Sequence, residues 1–381
     1  MHHVRLAAAL VLVAACTSTD QPTAPRTNPD ALVALSEGNT GAVYTLSNAV
    51  TGNAVLSYHR APDGSLTPAG SFATGGAGTG AGLGSQGAVV LSANGRYLLA
   101  VNAGSNEVTS FAVEGSGALV LRSTIGSGGT TPISVTIWGR LVYVLNAGGT
   151  GNISGFRLAN DGSLSAIAGS SRPLSSNAAG AAQVQFARQG RVLVVTEKNT
   201  NAIDTYLVGQ GGLATGPQVH ASSGATPFGF AISNTGLLIV SEAFGGAPDA
   251  SAASSYEIGH DGALHLLSAS VPTTETAACW FVVTKDHRFA YTTNTGSGTI
   301  SGYSVRQGRL TLLDSDGVTA VVGAGTTPID VALSGNSRFL YSLNAGTETI
   351  TSYAVNANGS LTAVAGGASG LPDGAVGLAA R

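Results

Sequence analysis

Val142-Tyr143-Val144-Leu145-Asn146-Ala147-Gly148 and Leu340-Tyr341-Ser342-Leu343-Asn344-Ala345-Gly346 are two copies of one phrase, an apolar run that ends in a polar residue and a Gly-bearing turn. Five further copies end at Asn48, Asn102, Glu197, Glu242 and Asn294, so seven polar anchors recur at intervals of 44 to 54 residues. A second marker gives the same count. After each anchor comes a tight turn and then a Leu, as in Asp63-Gly64-Ser65-Leu66, Asp161-Gly162-Ser163-Leu164, Asp261-Gly262-Ala263-Leu264 and Asn358-Gly359-Ser360-Leu361. Asp-Gly and Asn-Gly favour hairpin turns, because Gly accepts positive φ without a Cβ clash. Within a unit, Ile153-Ser154-Gly155-Phe156-Arg157-Leu158 and Ile350-Thr351-Ser352-Tyr353-Ala354-Val355 show the period of two that marks a strand.

Four short strands fit each repeat, and seven repeats predict an all-β, seven-bladed β-propeller of four-stranded blades. Labelled A to D outward from the axis, strand A is expected to begin near Ala88, Ile133, Gln183, Phe228, Trp280 and Ile329. The first repeat starts at strand B, Gly41–Asn48, with no strand A before it. Gly374-Ala375-Val376-Gly377-Leu378-Ala379-Ala380 at the far end reads as the missing inner strand, which closes the ring and removes its open edge. A chain of 381 residues would otherwise suggest two or three domains; the repeats make residues 37–381 one.

Composition excludes several function classes. Charged residues are 10% of the chain, the net charge is −3, and no basic run marks a nucleic-acid footprint. The apolar run Leu6–Ala15 follows Arg5, is too short to span a bilayer, and leads through small residues to Cys16, the plan of a secretory leader over residues 1–15. Val13-Ala14-Ala15-Cys16 resembles the lipobox of bacterial lipoproteins, in which the Cys is acylated. The resemblance implies an exported protein held at a membrane by its lipid anchor alone, with residues 16–36 as attachment site and Pro-bearing linker. Cys279 then has no disulfide partner.

Propeller geometry puts the D–A and B–C connections on one face, around the central channel. The seven anchors end strand B, so they are expected to ring that face, with the first residues of strand A beside them. Asn at such positions reads as a turn former that tolerates the left-handed region. Glu197 and Glu242 add a carboxylate without turn benefit and lie in consecutive blades, which makes them candidate acid and base catalysts. Lys198, Gln183, Trp280, Asn294, Asp330, Asn146 and Asn344 are the candidate ligand-binding residues of the same face. Histidine argues against a proton shuttle there: His59, His220, His260, His265 and His287 fall on outer strands or on the opposite turns. The sequence shows no metal-ligand spacing, phosphate loop or nucleophile elbow, so no metal and no cofactor are expected.

Thr226-Pro227-Phe228-Gly229-Phe230, Val240-Ser241-Glu242-Ala243, Phe289-Ala290-Tyr291-Thr292-Thr293-Asn294 and Thr327-Pro328-Ile329-Asp330 resemble the lactonase-type seven-bladed propellers, the family of bacterial 6-phosphogluconolactonase and fungal carboxymuconate cyclase. The resemblance implies the fold and a reactive site whose parts match unevenly. Where such enzymes open a strand A with a His-Ala-His-Gln-like stretch, this chain has Gly180-Ala181-Ala182-Gln183. The family's acid matches Glu197, but an Arg is replaced by Ala202, and an Asn-Arg-Gly becomes Asn294-Thr295-Gly296. Two readings follow. One is a monomeric propeller that binds a small molecule, a glycan or an envelope protein. The other is a divergent lactone hydrolase or cycloisomerase that uses Glu197, Glu242 and Lys198. A looser similarity of Tyr291-Thr292-Thr293-Asn294 to envelope propellers favours the first.

Overall fold

The computed structural model describes residues 40–381; the expected leader, Cys16 and the linker lie outside the described residues. Seven antiparallel sheets follow one another in chain order, each with its strands ordered A-B-C-D. The inner strands are Val89–Leu91, Pro132–Trp138, Ala181–Ala187, Pro227–Ile232, Ala278–Val283 and Pro328–Leu333, each within a few residues of its predicted start. The seventh is Val376–Ala380. It pairs antiparallel with Gly41–Leu46, matching Val43 to Ala380 and Leu46 to Val376, so the end of the chain completes blade 1 as the sequence predicts. The outer strand is broken in two blades, into Leu164–Ala166 and Arg172–Pro173 in blade 3 and into Arg309–Leu312 and Ala320–Val321 in blade 6. In each, a loop bulges out between the two pieces.

Strand B is buried on both faces in most blades. Every residue of Val192–Glu197, Leu237–Glu242, Phe289–Asn294 and Phe339–Asn344 is buried. A sheet buried on both faces has no polar side, which explains why these runs read as nearly continuous apolar stretches rather than alternating ones. The apolar clusters accordingly lie between neighbouring blades; one joins Phe281, Tyr303 and Leu310 of blade 6 to Leu237, Ile239 and Ala253 of blade 5.

The turn marker has a structural reason beyond φ. At every one of the seven junctions a side-chain hydroxyl of one blade donates a hydrogen bond to the carbonyl of the C–D turn glycine of the next. Tyr44 reaches Gly117 at 2.9 Å, Ser110 reaches Gly162 at 2.6 Å, and Tyr143 reaches Gly212 at 2.7 Å. Thr205 reaches Gly262 at 2.8 Å and Ser255 reaches Gly308 at 2.6 Å. Tyr291 reaches Gly359 at 2.8 Å, and Tyr341 of blade 7 closes the circuit on Gly64 of blade 1 at 3.2 Å. All seven acceptor glycines have φ between 78° and 91°, the region a Cβ disfavours.

The donor comes from either of two paired positions. Where strand B supplies Tyr, its cross-strand partner in strand C is small: Ser57, Gly155, Gly302 or Ser352. Where strand B has Leu99, Val194 or Ile239, the partner is the donor itself, Ser110, Thr205 or Ser255. One hydroxyl thus serves each junction, and the Oγ atoms of Ser57 and Ser352, opposite tyrosines, are buried without a partner. Removing a donor that leaves a buried carbonyl unpaired costs about 1–3 kcal/mol, whereas removing an already unpaired hydroxyl costs almost nothing. Chemical denaturation is therefore expected to show Tyr341→Phe and Thr205→Ala destabilised by about that amount, and Ser352→Ala within about 0.5 kcal/mol of the parent or above it.

Candidate functional site

Six of the seven anchors end strand B as expected, but they are buried and form no exposed rim. Asn102, Asn146, Glu197, Glu242, Asn294 and Asn344 are fully buried, and Asn48 nearly so. Only Asn48 has positive φ, so the turn reading holds for one Asn and fails for the other four. These side chains instead tie strand B to the strand C that follows it and to the preceding D–A connection. Asn102 donates to Thr109 Oγ1 at 2.9 Å and accepts from Thr74 Oγ1 at 2.6 Å and Asn53 Nδ2 at 3.1 Å. Asn146 donates to Ser154 Oγ, Asn294 to Thr299 and Ser301, and Asn344 to Thr349 and Thr351.

Glu197 and Glu242 occupy the same position and do the same work with stronger acceptors. Glu242 takes the Gly224 amide at 2.8 Å and the Ser270 hydroxyl at 2.7 Å. Glu197 takes the Ser175 amide at 2.9 Å, the Ser175 hydroxyl and the Thr200 hydroxyl. The two acids share no partner. Glu197 pairs instead with Asp204 in strand C of its own blade, and the Ser175 amide bridges them, 3.1 Å from Asp204 Oδ2. Burial, reinforced by Glu197, pushes the Asp204 carboxyl up to about 8. A neutral Asp204 avoids a second buried charge beside Glu197, and its Oδ1 is buried without a partner. Asp204 was not among the residues singled out from the sequence; only its place two residues into the strand after Glu197 hinted at it.

The start of strand A is occupied by a second set of inter-blade ties. Ser134 Oγ accepts from the Val184 amide of the next blade at 3.1 Å. Gln183 brackets Phe230, accepting from its amide at 2.7 Å and donating to its carbonyl at 3.0 Å. Blade 5 has Gly229 at the equivalent position, and no side chain of its own to reach Phe281. Gln86 fills the gap from outside the blade: its side chain accepts from the Phe281 amide at 3.0 Å and donates to the Phe281 carbonyl at 2.8 Å. A Cβ on Gly229 would collide with Gln86 Oε1. Asp330 accepts from the Val331 amide at 2.8 Å and faces Leu378 of blade 1; full burial raises its carboxyl well above the usual range.

Gln86 ends the long connection between blades 1 and 2, and its anchorage lays that segment across the channel. Ser85 Oγ donates to Ile133 O of blade 3 at 2.8 Å, the Gln86 amide donates to Ala182 O of blade 4 at 3.1 Å, and Trp280 Nε1 of blade 6 donates to Ser85 O at 2.9 Å. Beneath it Trp280 packs on Phe228 with ring centroids 4.9 Å apart, and Lys198 Nζ sits 4.8 Å from the Phe228 centroid while donating to Gly84 O at 2.7 Å. Burial holds Lys198 below the usual ammonium range and pushes the nearby Cys279 thiol up to about 12, so the thiol stays protonated. The structure thus brings Lys198, Phe228, Cys279 and Trp280 together, and leaves Glu197 and Glu242 apart from them. Trp280, Gln183 and Asp330 are buried packing and tying groups.

What stays open is the other half of the channel. A cavity of about 380 Å³ lies below Gln86, lined by inner-strand residues of all seven blades, among them Val90, Leu91, Ile137, Gln185, Ile232 and Leu333. It opens between the A–B turns. No charged residue and no His lines it. Among the described residues, no three His, Cys, Asp or Glu side chains converge as metal ligands.

With seven blades, one closing tail strand and this channel in view, comparison with known proteins decides the kinship. Residues 42–173 and 256–370 match the family "Lactonase, 7-bladed beta-propeller". The chain belongs to that lactonase family. The stretch between the two matched regions contains Gln183, Glu197, Lys198 and Glu242. Among solved structures, a Lactobacillus plantarum protein superposes with a TM-score of 0.69 at 20% identity, over 89% of this chain and 98% of that one. The periplasmic gluconolactonase PpgL of Pseudomonas aeruginosa gives a TM-score of 0.66 at 16% identity, over 89% and 99%. Identities this low carry the fold and nothing finer. No curated protein sequence matches the chain.

The Asp204 carboxyl sets a pH dependence. The folded chain keeps a proton that the unfolded chain releases near 3.8, so this contribution to stability is full below that value and is lost as pH rises toward about 8. Asp204→Asn retains a neutral donor. Its melting temperature is expected to match the parent at the acid end of that window and to exceed it by several degrees at the alkaline end, measured by scanning calorimetry.

Proposed function

We propose that this lactonase-family propeller is an exported binding protein rather than a hydrolase, and that it takes an uncharged small molecule into the axial cavity from the A–B face. The supporting observation is the chemistry of the channel. Opening a lactone requires a group that moves a proton to or from the ring oxygen and a donor or cation that stabilises the developing charge. The open cavity has no ionisable side chain, and the opposite mouth is filled by Ser85 and Gln86. The cavity volume is within the range of small-molecule sites, about 300–1,000 Å³. Gln86, Thr136, Gln183 and Gln185 supply polar side chains, and the strand A aliphatic residues much of the rest. Export and acylation at Cys16 belong to this reading through the leader-like N-terminus.

Purified protein is expected to release no acid from simple lactones above the buffer rate, followed with a pH indicator. It is expected to gain thermal stability with uncharged lactones but not with sugar acids, and Ile232→Trp, which fills the cavity, abolishes that gain. Turnover that disappears in Glu197→Gln or Glu242→Gln would instead establish the hydrolase reading.

A further inference from the structure

The sequence has no basic run, yet the topology sorts its charges. Strand direction alternates, so the A–B and C–D turns lie on one face and the B–C and D–A connections on the other. Of the fifteen Lys and Arg among the described residues, thirteen lie at the A–B and C–D end of their strands or in those turns. Only Arg172 and Lys198 lie at the other end. The acids divide the opposite way, six against eleven. Four of those eleven, Glu197, Asp204, Glu242 and Asp330, are buried; counting exposed side chains alone, the A–B and C–D face carries nine bases and six acids, and the opposite face four acids and no base. Nine of the thirteen bases are exposed, among them Arg140, Arg191, Lys285, Arg288, Arg306 and Arg309.

A second observation concerns where the chain enters. The described chain begins on this same face: Gly41 pairs with Arg60 at the C–D end of blade 1 and lies against the Arg381 carbonyl. The segment that leads back to Cys16 therefore leaves the propeller among its basic residues. We propose that the A–B and C–D face is a docking surface for a membrane leaflet rich in anionic phospholipid, and that it lies flat on the bilayer from which the chain is tethered. Basic residues near an anionic leaflet are attracted within a Debye length, about 10 Å at 0.1 M salt. The acidic face then points away from the membrane, and the axial cavity opens toward it. The orientation rests on the proposed anchor at Cys16; the affinity of the face for anionic lipid does not.

All hydrogen bonds and core contacts described above lie within residues 40–381, and the tail strand closes the ring, so the protein can be tested without its leader. Residues 17–381 are mixed with vesicles of phosphatidylcholine alone or with phosphatidylglycerol added, and sedimented at low and high salt. Binding is expected only with phosphatidylglycerol, lost at high salt, and weakened about tenfold or more in Arg140→Glu/Arg191→Glu/Arg306→Glu. Asp316→Lys/Asp373→Lys, which adds positive charge to the other face, is expected to leave binding unchanged; a comparable gain would mean that net charge and not the face governs it, and would overturn the proposal. Equal binding to both vesicles, no binding at low salt, or retention on heparin without vesicle binding would also overturn it, the last in favour of a soluble polyanion. In cells, Cys16→Ser reports on the anchor separately: release from the membrane fraction supports acylation, whatever the vesicles show.

Discussion

The ring holds together because a hydroxyl in each blade finds the carbonyl of a glycine turn in the next. Each acceptor comes from a C–D turn whose glycine has φ between 78° and 91°, a conformation that a Cβ disfavours. The donor must stand at one level of the blade, on strand B as Tyr or on strand C as Ser or Thr. A buried carbonyl that loses its donor is expensive, so turn and donor are constrained together although they lie in different repeats. The seven Asp-Gly-like turns are therefore more than hairpin closures, and the scattered Tyr, Ser and Thr of strands B and C have a common purpose that no single repeat reveals.

The architecture was legible because it is periodic. Anchor spacing, turn glycines and the orphan strand at the C-terminus each follow from local patterns, and each is where it was expected. The candidate site was much less legible. Glu197 and Glu242 were correctly seen as members of the anchor series, but a carboxylate ending a strand looks the same in sequence whether it meets solvent or a Ser175 amide. What decides between them is the path of the preceding D–A connection, which depends on tertiary structure. Gln86 was invisible for the same reason. Its meaning depends on Gly229, a residue distant in sequence and small enough to leave a slot. The charge pattern escaped because basic residues spaced one or two per repeat never form a run; only the strand order collects them.

Closure of one channel mouth and the uncharged lining of the other fit together. The bracket of Gln86 on Phe281 repeats the bracket of Gln183 on Phe230, so the crossing segment completes an inner set of ties that blade 5 cannot make alone. The same act that ties blade 5 to blade 6 places Ser85 over Trp280 and seals Lys198 and Cys279 beneath a backbone. At this mouth the space is filled by ties between blades, and the buried Asp204 carboxyl keeps its proton under the loop that carries Ser175.

The circuit of hydroxyl and turn also has a direction. Every blade gives to its successor and receives from its predecessor, and the link from Tyr341 to Gly64 across the chain ends is the same as the six others. Nothing in this circuit marks where translation starts. The seam is covalent only, so a gene cut in any exposed D–A connection and rejoined at the old termini would encode the same wheel with its spokes renumbered.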